Sequence, residues 1–407
     1  MLTLYRIIPG IVFIFSGFMK AADPVGTALK IDEYLAAFHL SFFDFLSLPV
    51  AVVLSGAEFV IGISLLKGIN IKRVAPLSLV LISFFTLLTL YAAIFNPVKE
   101  CGCFGEALRL SNVASLCKNI VLLLFVVMAF INRDKYSPIA LPFMERIYTY
   151  CYCAFIFLIS LWSVLYIPQV DFTPLKVGTD LEEALPEEIE REFQTTFIYS
   201  KDGREEEFGL ENLPDSTWNF VAANTVQISG RSANDPSANF VLKDGDGNYV
   251  TEQILSEEGP LFFISIYNGA RTGEKYRKRV AELCDTLMAH GRPLYAVTGD
   301  ADIAWDLENV PLLFTDYKTS LSLNRSNGGL VEISDKTIIA KWGRIDFPTE
   351  RVSELLKKDP EVVSANKVIG EQLFIELSFI IIFALVFVVR YISKRYYLKY
   401  LAAQERG

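Results

Sequence analysis

The chain has 407 residues, of which 52% are hydrophobic and 21% are charged, and its mean hydropathy is +0.34. Its net charge of −9 argues against a nucleic-acid partner, because phosphate binding needs a basic surface. Two histidines leave little material for a His-based metal site, and six cysteines in so long a chain exclude a disulfide-rich miniprotein.

Apolar residues are concentrated in six blocks of roughly 17 to 22 residues, near the ~20 that a helix needs to cross ~30 Å of hydrocarbon. None has the polar stripe of a surface helix, so the pattern predicts an α-helical membrane bundle with six transmembrane helices. The first block also resembles a signal peptide, but three further spans follow soon after it, which favours a retained helix. The blocks comprise residues 4–22, 48–66, 74–95, 114–131, 147–167 and 373–389.

Basic residues beside these blocks predict the orientation of the chain. All the clusters fall on one side of the six crossings, and such clusters mark the cytoplasmic side of a membrane. We therefore expect a multi-pass protein of the bacterial inner membrane with both termini in the cytoplasm and the segment 168–372 in the periplasm. The clusters are Arg6; Lys67, Lys72 and Arg73; Arg133, Lys135 and Arg146; and Arg390, Lys394, Arg395 and Lys399.

Glu58 stands at the centre of the second block, where an ionisable side chain is costly and usually faces the bundle interior or a water-filled cavity. It is a candidate proton-relay or quinone-site carboxylate. The alternative is a buried, protonated side chain that only makes hydrogen bonds. Lys20 and Asp23, near the outer end of the first block, are explained by snorkelling and helix-end pairing. The hydrogen-bond partners considered for Glu58 are Ser55, Ser83, Thr86 and Thr89.

The loop between the third and fourth blocks contains Cys101, Gly102 and Cys103 on the predicted outer side, where thiol–disulfide exchange is possible. Cys117 lies about one turn inside the fourth block on the same side and is a plausible resolving partner. Three interpretations stay open: a structural disulfide that pins the loop, a redox-active thiol pair, or a soft-metal site. The metal site is the weakest, because three thiolates without a nearby histidine are incomplete for zinc.

The segment between the fifth and sixth blocks is long enough for a soluble domain. Strands are predicted at 196–199 and 206–208, and Asp244–Asn248 is read as a hairpin turn because it lacks the Gly and Glu of a calcium loop. After Gly259, strands and helices alternate, which predicts an α/β sheet. The strands are 261–267, 294–298, 311–314, 330–333 and 337–342, and the helices are 272–290, 303–307, 320–324 and 349–357.

This order of elements resembles the thioredoxin fold over residues 238–360, including a peroxiredoxin-like lead-in at 240–244. The resemblance would place Cys-x-x-Cys after the first central strand, but residues 267–272 contain no cysteine. Asn327, Gly328 and Gly329 stand where a cis-proline is expected, and Cys284 falls mid-helix as a core residue. We therefore expect a domain that binds or positions a partner and performs no disulfide chemistry itself.

The Cys-Gly-Cys-Phe-Gly string in the third outer loop resembles the MauE (methylamine-utilisation) membrane family, and the first block, through Ser16–Lys20 to Asp23, resembles the related DoxX family. Together the two resemblances cover residues 1–135. They imply a membrane protein that assists periplasmic thiol redox or electron transfer, as MauE is associated with maturation of the disulfide-rich methylamine dehydrogenase. Nothing in the sequence shows that methylamine is involved.

The sequence predicts five regions and a redox function. Electrons would pass from Cys101 and Cys103, through Cys117, to a membrane carrier such as quinone, with Glu58 handling the proton. The alternative is a non-enzymatic scaffold whose outer domain binds a periplasmic client protein and whose cysteines form a static staple. The regions are a four-helix membrane domain (1–135), a fifth helix and linker (136–168), a β-rich lead-in (169–253), a degenerate thioredoxin-like domain (254–362) and a final span with a basic tail (363–407).

Overall fold

The fold is described here from a computed structural model of the chain. The structure describes residues 2–98, 102–108, 110–136, 142–181, 193–201, 204–209, 219–227, 240–300, 302–346, 348–349 and 352–404.

The N-terminal part is a bundle of long apolar helices. Five helices among the described residues are long and apolar enough to cross a membrane, and they correspond to the first five predicted spans. A shorter helix, α2, follows the first of them and does not cross. The helices are α1 (Leu4–Ala22), α2 (Pro24–Ala37), α3 (Ser47–Lys67), α4 (Ile71–Phe95), α5 (Asn112–Ile131) and α6 (Pro142–Leu165), with a short strand β1 (Cys103–Glu106) between α4 and α5.

The helices α1 and α3 cross at very short range because glycines face each other. A Cβ atom on Gly17 would lie 2.5 Å from the backbone nitrogen of Phe59, and one on Gly62 would lie 2.6 Å from that of Ile14. Gly10 belongs to the same contact, with Gly62 and Leu66 opposite it. Small residues at such crossings let two membrane helices approach until their backbones touch. Polar side chains of α1 and α3 are thereby brought within reach of one another.

The C-terminal part contains two sheets. Three antiparallel strands in the order β3-β2-β4 precede a five-stranded sheet in the order β7-β6-β5-β8-β9, in which β5, β6 and β7 are parallel and β8 and β9 form an antiparallel hairpin. The strands are β2 (Phe193–Lys201), β3 (Arg204–Gly209), β4 (Asn219–Gln227), β5 (Leu261–Ile266), β6 (Leu294–Thr298), β7 (Leu312–Phe314), β8 (Gly329–Ser334) and β9 (Thr337–Trp342).

Helices connect and flank these strands: α7 (Thr251–Leu255), α8 (Glu274–Ala289), α9 (Tyr317–Leu323), α10 (Val352–Leu355) and the long α11 (Pro360–Gln404). The predicted mixed α/β sheet is therefore confirmed. Cys284 is buried among apolar side chains of α8 and its surroundings, and burial raises the pKa of its thiol, as expected for an inert core residue. The thioredoxin likeness stays a prediction.

Two local predictions had different outcomes. The turn at Asp244 is a hairpin turn, because its carboxylate accepts hydrogen bonds from the backbone N–H groups of Asp246 and Asn248. The helix predicted at 303–307 is wrong. Ile303, Trp305 and Leu307 lie in irregular backbone and pack against the core at alternate positions, which is the spacing of an extended chain.

The sixth predicted span lies inside α11, a single helix of 45 residues. Such a helix is about 68 Å long, much longer than the ~30 Å of a hydrocarbon core. It packs against the bundle, since the ring of Phe379 lies 5.5 Å from that of Phe18 on α1. Several of its side chains after residue 382 lie outside the described set, and a membrane crossing at 373–389 stays a prediction.

Glu332 provides a test of the soluble fold. It pairs with Phe262 across β8 and β5, and burial raises the pKa of its carboxyl from 4.5 to about 7. The folded chain therefore holds this proton more tightly than the unfolded chain. The free energy of unfolding consequently falls as the pH rises from about 4.5 to about 7, and it stays low above that.

We expect Glu332→Gln to stabilise the domain at pH 8 by up to about 3 kcal/mol and to change little at pH 4. Thermal unfolding of the full chain in nanodiscs, followed by tryptophan fluorescence at both pH values, measures the effect. Glu308→Gln, on an exposed carboxylate, is the matched control. An equal change at both pH values would show that Glu332 does not titrate in this range.

Candidate functional site

The centre of the site is a buried ion pair inside the bundle. The Nζ atom of Lys20 on α1 lies 2.5 Å from Oε1 of Glu58 on α3, and both side chains are almost fully buried. The ammonium also donates to the Ser16 hydroxyl at 3.2 Å and lies 5.0 Å from the ring centre of Phe85 on α4. A carboxylate at this depth is thus neutralised by a cation from the neighbouring helix.

The geometry of antiparallel helices explains why these two residues meet. Side chains of a helix lean toward its N-terminus. Lys20, near the C-terminal end of α1, therefore extends inward along the bundle, while Glu58 leans outward along α3. The expected snorkelling of Lys20 toward the outer surface is wrong, because the tight α1–α3 crossing offers it a carboxylate instead.

Three of the four hydrogen-bond partners proposed for Glu58 from the sequence are occupied elsewhere. The hydroxyls of Ser55, Thr86 and Thr89 donate to backbone carbonyls of their own helices. Within the described part of the chain, Oε2 of Glu58 is buried without a hydrogen-bond partner. Glu58 therefore has one oxygen held by Lys20 and one oxygen available to a further donor.

The thiol loop is attached directly to this pair. The hydroxyl of Ser16, which accepts from Lys20, donates to the backbone carbonyl of Cys103 at 2.7 Å. Phe104 is buried beside Phe15, with ring centres 5.4 Å apart in an edge-on contact. Gly102 has a φ of +67°, a conformation that favours glycine. Ser16 and Phe104 thus hold Cys103 above the Lys20–Glu58 pair.

A small cavity joins these groups. Its free space is about 20 Å³, room for about one water molecule, which needs 10–15 Å³. A water in this space would lie beside Glu58, which lines the cavity. The polar lining consists of Ser16, Lys20, Glu58, Cys103, Lys118 and Asn119, and apolar side chains of α1, α4 and α5 complete the wall.

The predicted site residues are brought together only in part. Glu58 and Cys103 line the same cavity, whereas Cys101 lies outside the described residues. Cys117 is an exposed free thiol. The inward face of α5 carries Ser115 and Asn119, and Cys117, two positions from each, points to the opposite face. The structure therefore does not bring Cys117 to the cavity.

The helix α2 lies between the thiol loop and the soluble domain. On one side, the Lys30 side chain packs on Gly102, so closely that a Cβ there would lie 2.8 Å from Lys30 Cγ. On the other side, Glu33 accepts from Lys318 of the domain at 2.6 Å and also pairs with Lys30 at 3.1 Å. Charges on α2 thus connect the domain to the loop.

A second buried ion pair joins the domain to the bundle. Asp23, at the junction of α1 and α2, caps α2 by accepting from the backbone N–H of Gly26. Its other oxygen accepts from the guanidinium of Arg325 at 3.0 Å, and both side chains are buried. Because Asp23 lies one turn beyond Lys20, the two buried pairs are consecutive on the same helix end.

A third pair fixes the linker that leads from α6 into the domain. Asp171 accepts from Nζ of Lys341 on β9 at 2.7 Å, and both side chains are largely buried. Burial alone would raise the pKa of Asp171, but the Lys341 ammonium holds it below its ordinary value. Burial also lowers the pKa of Lys341. The domain is consequently anchored to the bundle at two sites, through Arg325 and through this linker.

An amide network holds the segment 267–272, where the predicted thioredoxin likeness would place a Cys-x-x-Cys. The side chain of Asn327 accepts from the backbone N–H groups of Tyr267 and Asn268 and donates to the carbonyl of Asn268, each at 2.9 Å. The Tyr267 hydroxyl donates to the carbonyl of Arg325. The residues that would form a reactive face are therefore locked and continue directly into the contact with Asp23.

Sequence reasoning missed Ser16, Arg325 and Asn119 as members of the site. Asn119 donates to Thr89 at 3.2 Å and thereby ties α5 to α4. A polar residue every three or four positions along α5 was the available signal, since these residues mark the inward face of an otherwise apolar helix. No signal in the sequence pointed to the pairing of Asp23 with Arg325, which lie 302 positions apart.

The Asp23–Arg325 pair yields a test of the docking. Arg325→Met leaves Asp23 buried without a cation, which costs roughly 3–5 kcal/mol. We expect faster amide hydrogen exchange in α2 peptides of the full chain in nanodiscs. Lys318→Met removes a half-exposed pair, costs at most about 1 kcal/mol and serves as the control.

The double variant Asp23→Asn with Arg325→Met should recover part of the protection, because asparagine caps a helix as well as aspartate and leaves no buried charge. Equal exchange of α2 in the Arg325 and Lys318 variants would contradict the docking role of Arg325.

Comparison with known proteins finds a family to which the N-terminal part is similar. Residues 1–132 match the family described as Methylamine utilisation protein MauE, and residues 193–230 match a domain of unknown function (DUF8463). Protein TlpB of Flavobacterium psychrophilum is 24% identical over 133 residues, which are 32% of this chain and 36% of that protein. The chain thus matches about a third of the length of this curated relative.

No solved structure matches the chain. The match over residues 1–132 includes the Lys20–Glu58 pair and the Cys103 loop, and it agrees with the resemblance predicted from the Cys-Gly-Cys-Phe-Gly string. The N-terminal third of the chain is therefore an integral membrane region that is similar to the MauE family.

Proposed function

We propose that this membrane protein transfers electrons between the Cys101/Cys103 thiol pair and a membrane carrier such as quinone, and so assists the redox state or maturation of a client protein. The observation that carries the proposal is the chain of contacts from Cys103 through Ser16 and Lys20 to Glu58 around one cavity. A thiol loop placed beside a buried carboxylate–ammonium pair is suited to coupled electron and proton transfer.

The chemistry balances without a metal. Oxidation of two thiols to one disulfide releases two electrons and two protons, and reduction of a quinone to a quinol takes up two of each. The disulfide forms between Cys101 and Cys103, as the sulfur–hydrogen bonds break. Glu58, with one oxygen unpartnered, would receive a proton and pass it on. Cys117 is not needed for this step, in contrast to the route predicted from the sequence.

The cavity beside Glu58 is too small to hold a quinone ring. The cavity has room for about one water molecule, whereas small-molecule pockets usually have volumes of 300 Å³ or more. A quinone ring would therefore have to bind where α4 or α5 moves away from α1. Phe85 on α4 and Lys20 would then form the face that the ring meets.

The proposed location follows from charge. The basic residues flank the spans at the end opposite the thiol loop, and such residues mark the cytoplasmic side. Arg6 of α1, which donates to the last carbonyls of α3 at Leu65 and Leu66, is one of them. The thiol loop and the docked domain would then lie in the periplasm of the bacterial inner membrane, where a disulfide-containing client is accessible.

The first test is a redox titration of the cysteines in native membranes, by differential alkylation and mass spectrometry. We expect Cys101 and Cys103 to cycle at a potential in the range of catalytic dithiols, roughly −120 to −270 mV. A disulfide that resists reduction below about −300 mV would instead indicate a structural staple. In that case the scaffold interpretation would replace the redox one.

The second test addresses Glu58. With the reduced protein in nanodiscs and decylubiquinone as the probe, we expect Glu58→Gln to slow quinol formation by roughly a hundredfold, as for loss of a general acid–base group. The double variant Lys20→Met with Glu58→Gln avoids an unpaired buried ammonium and should be equally slow. Cys117→Ala should keep the full rate. Slow quinol formation by the Cys117 variant would show that this thiol takes part in electron transfer. An unchanged rate in the Glu58 variant would show that this carboxylate does not transfer the proton.

A further inference from the structure

Three lysines of the described part of the chain lie near the thiol loop, and two of them are paired with a carboxylate. Lys20, below the loop, is paired with Glu58 at 2.5 Å, and Lys30, which packs on Gly102, is paired with Glu33 at 3.1 Å. The Lys20–Glu58 pair is neutral, whereas Lys30 shares its carboxylate with a second lysine. Glu33 pairs also with Lys318, farther from the loop.

Lys118 on α5 is the exception. It is half-buried, lines the same cavity as Cys103, and forms no ion pair with a carboxylate in the described part of the chain. Its Nζ atom lies 4.3 Å from the ring centre of Phe104, the residue that follows Cys103. The side chain leans toward the N-terminus of α5, which is the end that meets the loop.

The charge balance around Cys103 therefore favours an anion. Among the described side chains, it faces the neutral Lys20–Glu58 pair from α1 and α3, and Lys30, which shares Glu33 with Lys318, from α2. From α5 it faces the ammonium of Lys118, which has no carboxylate partner among these side chains. A thiol beside an uncompensated cation ionises more readily, and the thiolate is the form that attacks disulfides. Half-burial weakens the solvent screening that would otherwise cancel this attraction.

We propose that Lys118 is a further functional residue, whose ammonium stabilises the thiolate of Cys103 and thereby sets the reactivity of the thiol loop. The proposal extends the proposed redox function, but its test measures the thiol alone, without a quinone or a client. The two can therefore fail independently.

The experiment is the pH dependence of Cys103 alkylation by iodoacetamide in the full chain in nanodiscs. A Cys101→Ser background leaves Cys103 as the one thiol of the loop, and mass spectrometry of its peptide separates it from the other cysteines. In this background we expect Lys118→Met to lower the alkylation rate at pH 7 by about tenfold and to shift the pH profile upward by about one unit.

Lys118→Arg should keep the rate within about twofold, because the cation is retained. Lys72→Met, which removes an exposed cation at the other end of the bundle, is the control for net charge and should change nothing. Lys118→Gln, checked by thermal unfolding, replaces the methionine variant if that one fails to fold. An unchanged profile in a folded Lys118 variant would overturn the proposal. A shifted profile in a protein that forms no quinol would preserve it and overturn the redox function.

Discussion

The buried pair of Lys20 and Glu58 is the constraint on which the rest of the bundle depends. Either charge alone would be costly at this depth, so the two helices that carry them must stay in register. Gly17 of α1 and Gly62 of α3 each pack on the backbone of the other helix and so allow the required approach. A larger side chain at either position would push α1 and α3 apart. The same pair fixes Ser16, and through it the backbone of Cys103. The position of the thiol loop is thus a consequence of charge compensation inside the membrane.

The end of α1 transmits this constraint to the soluble domain. Lys20 and Asp23 are one turn apart, and they bind partners in opposite directions, Glu58 within the bundle and Arg325 in the domain. Asp23 caps the N-terminus of α2, and this helix packs against the thiol loop through the contact of Lys30 with Gly102. A displacement of the domain would therefore strain the capping of α2 and the support of the loop together. Through this coupling, the position of the domain influences the geometry of the thiol loop.

The sequence was most informative where a pattern is local. The apolar blocks predict five spans, and the β8–β9 hairpin follows from a polar turn between two apolar strands. Prediction was weakest for pairings between distant segments, because the partner of Lys20 depends on how closely two glycine-lined helices approach. Snorkelling is the sound expectation for a lysine near a helix end, and it fails here only because Glu58 lies within reach. Likewise, the spacing of Cys117 along the chain suggests proximity to the loop, but the helical period turns it to the other face of α5.

The domain has a rigid segment near the bundle, and the loop carries the thiols. Asn327 makes three hydrogen bonds to the backbone of residues 267 and 268, which hold this segment of the domain in one conformation. Gly102 and Gly105, by contrast, give the thiol loop two residues at positive φ, where few side chains would be tolerated. Thiol exchange needs sulfurs that can move relative to one another, and a rigid support is needed to present them. In this chain the docked domain contributes to that support, because Arg325 and Lys318 hold the region of Asp23 and α2, against which the loop packs.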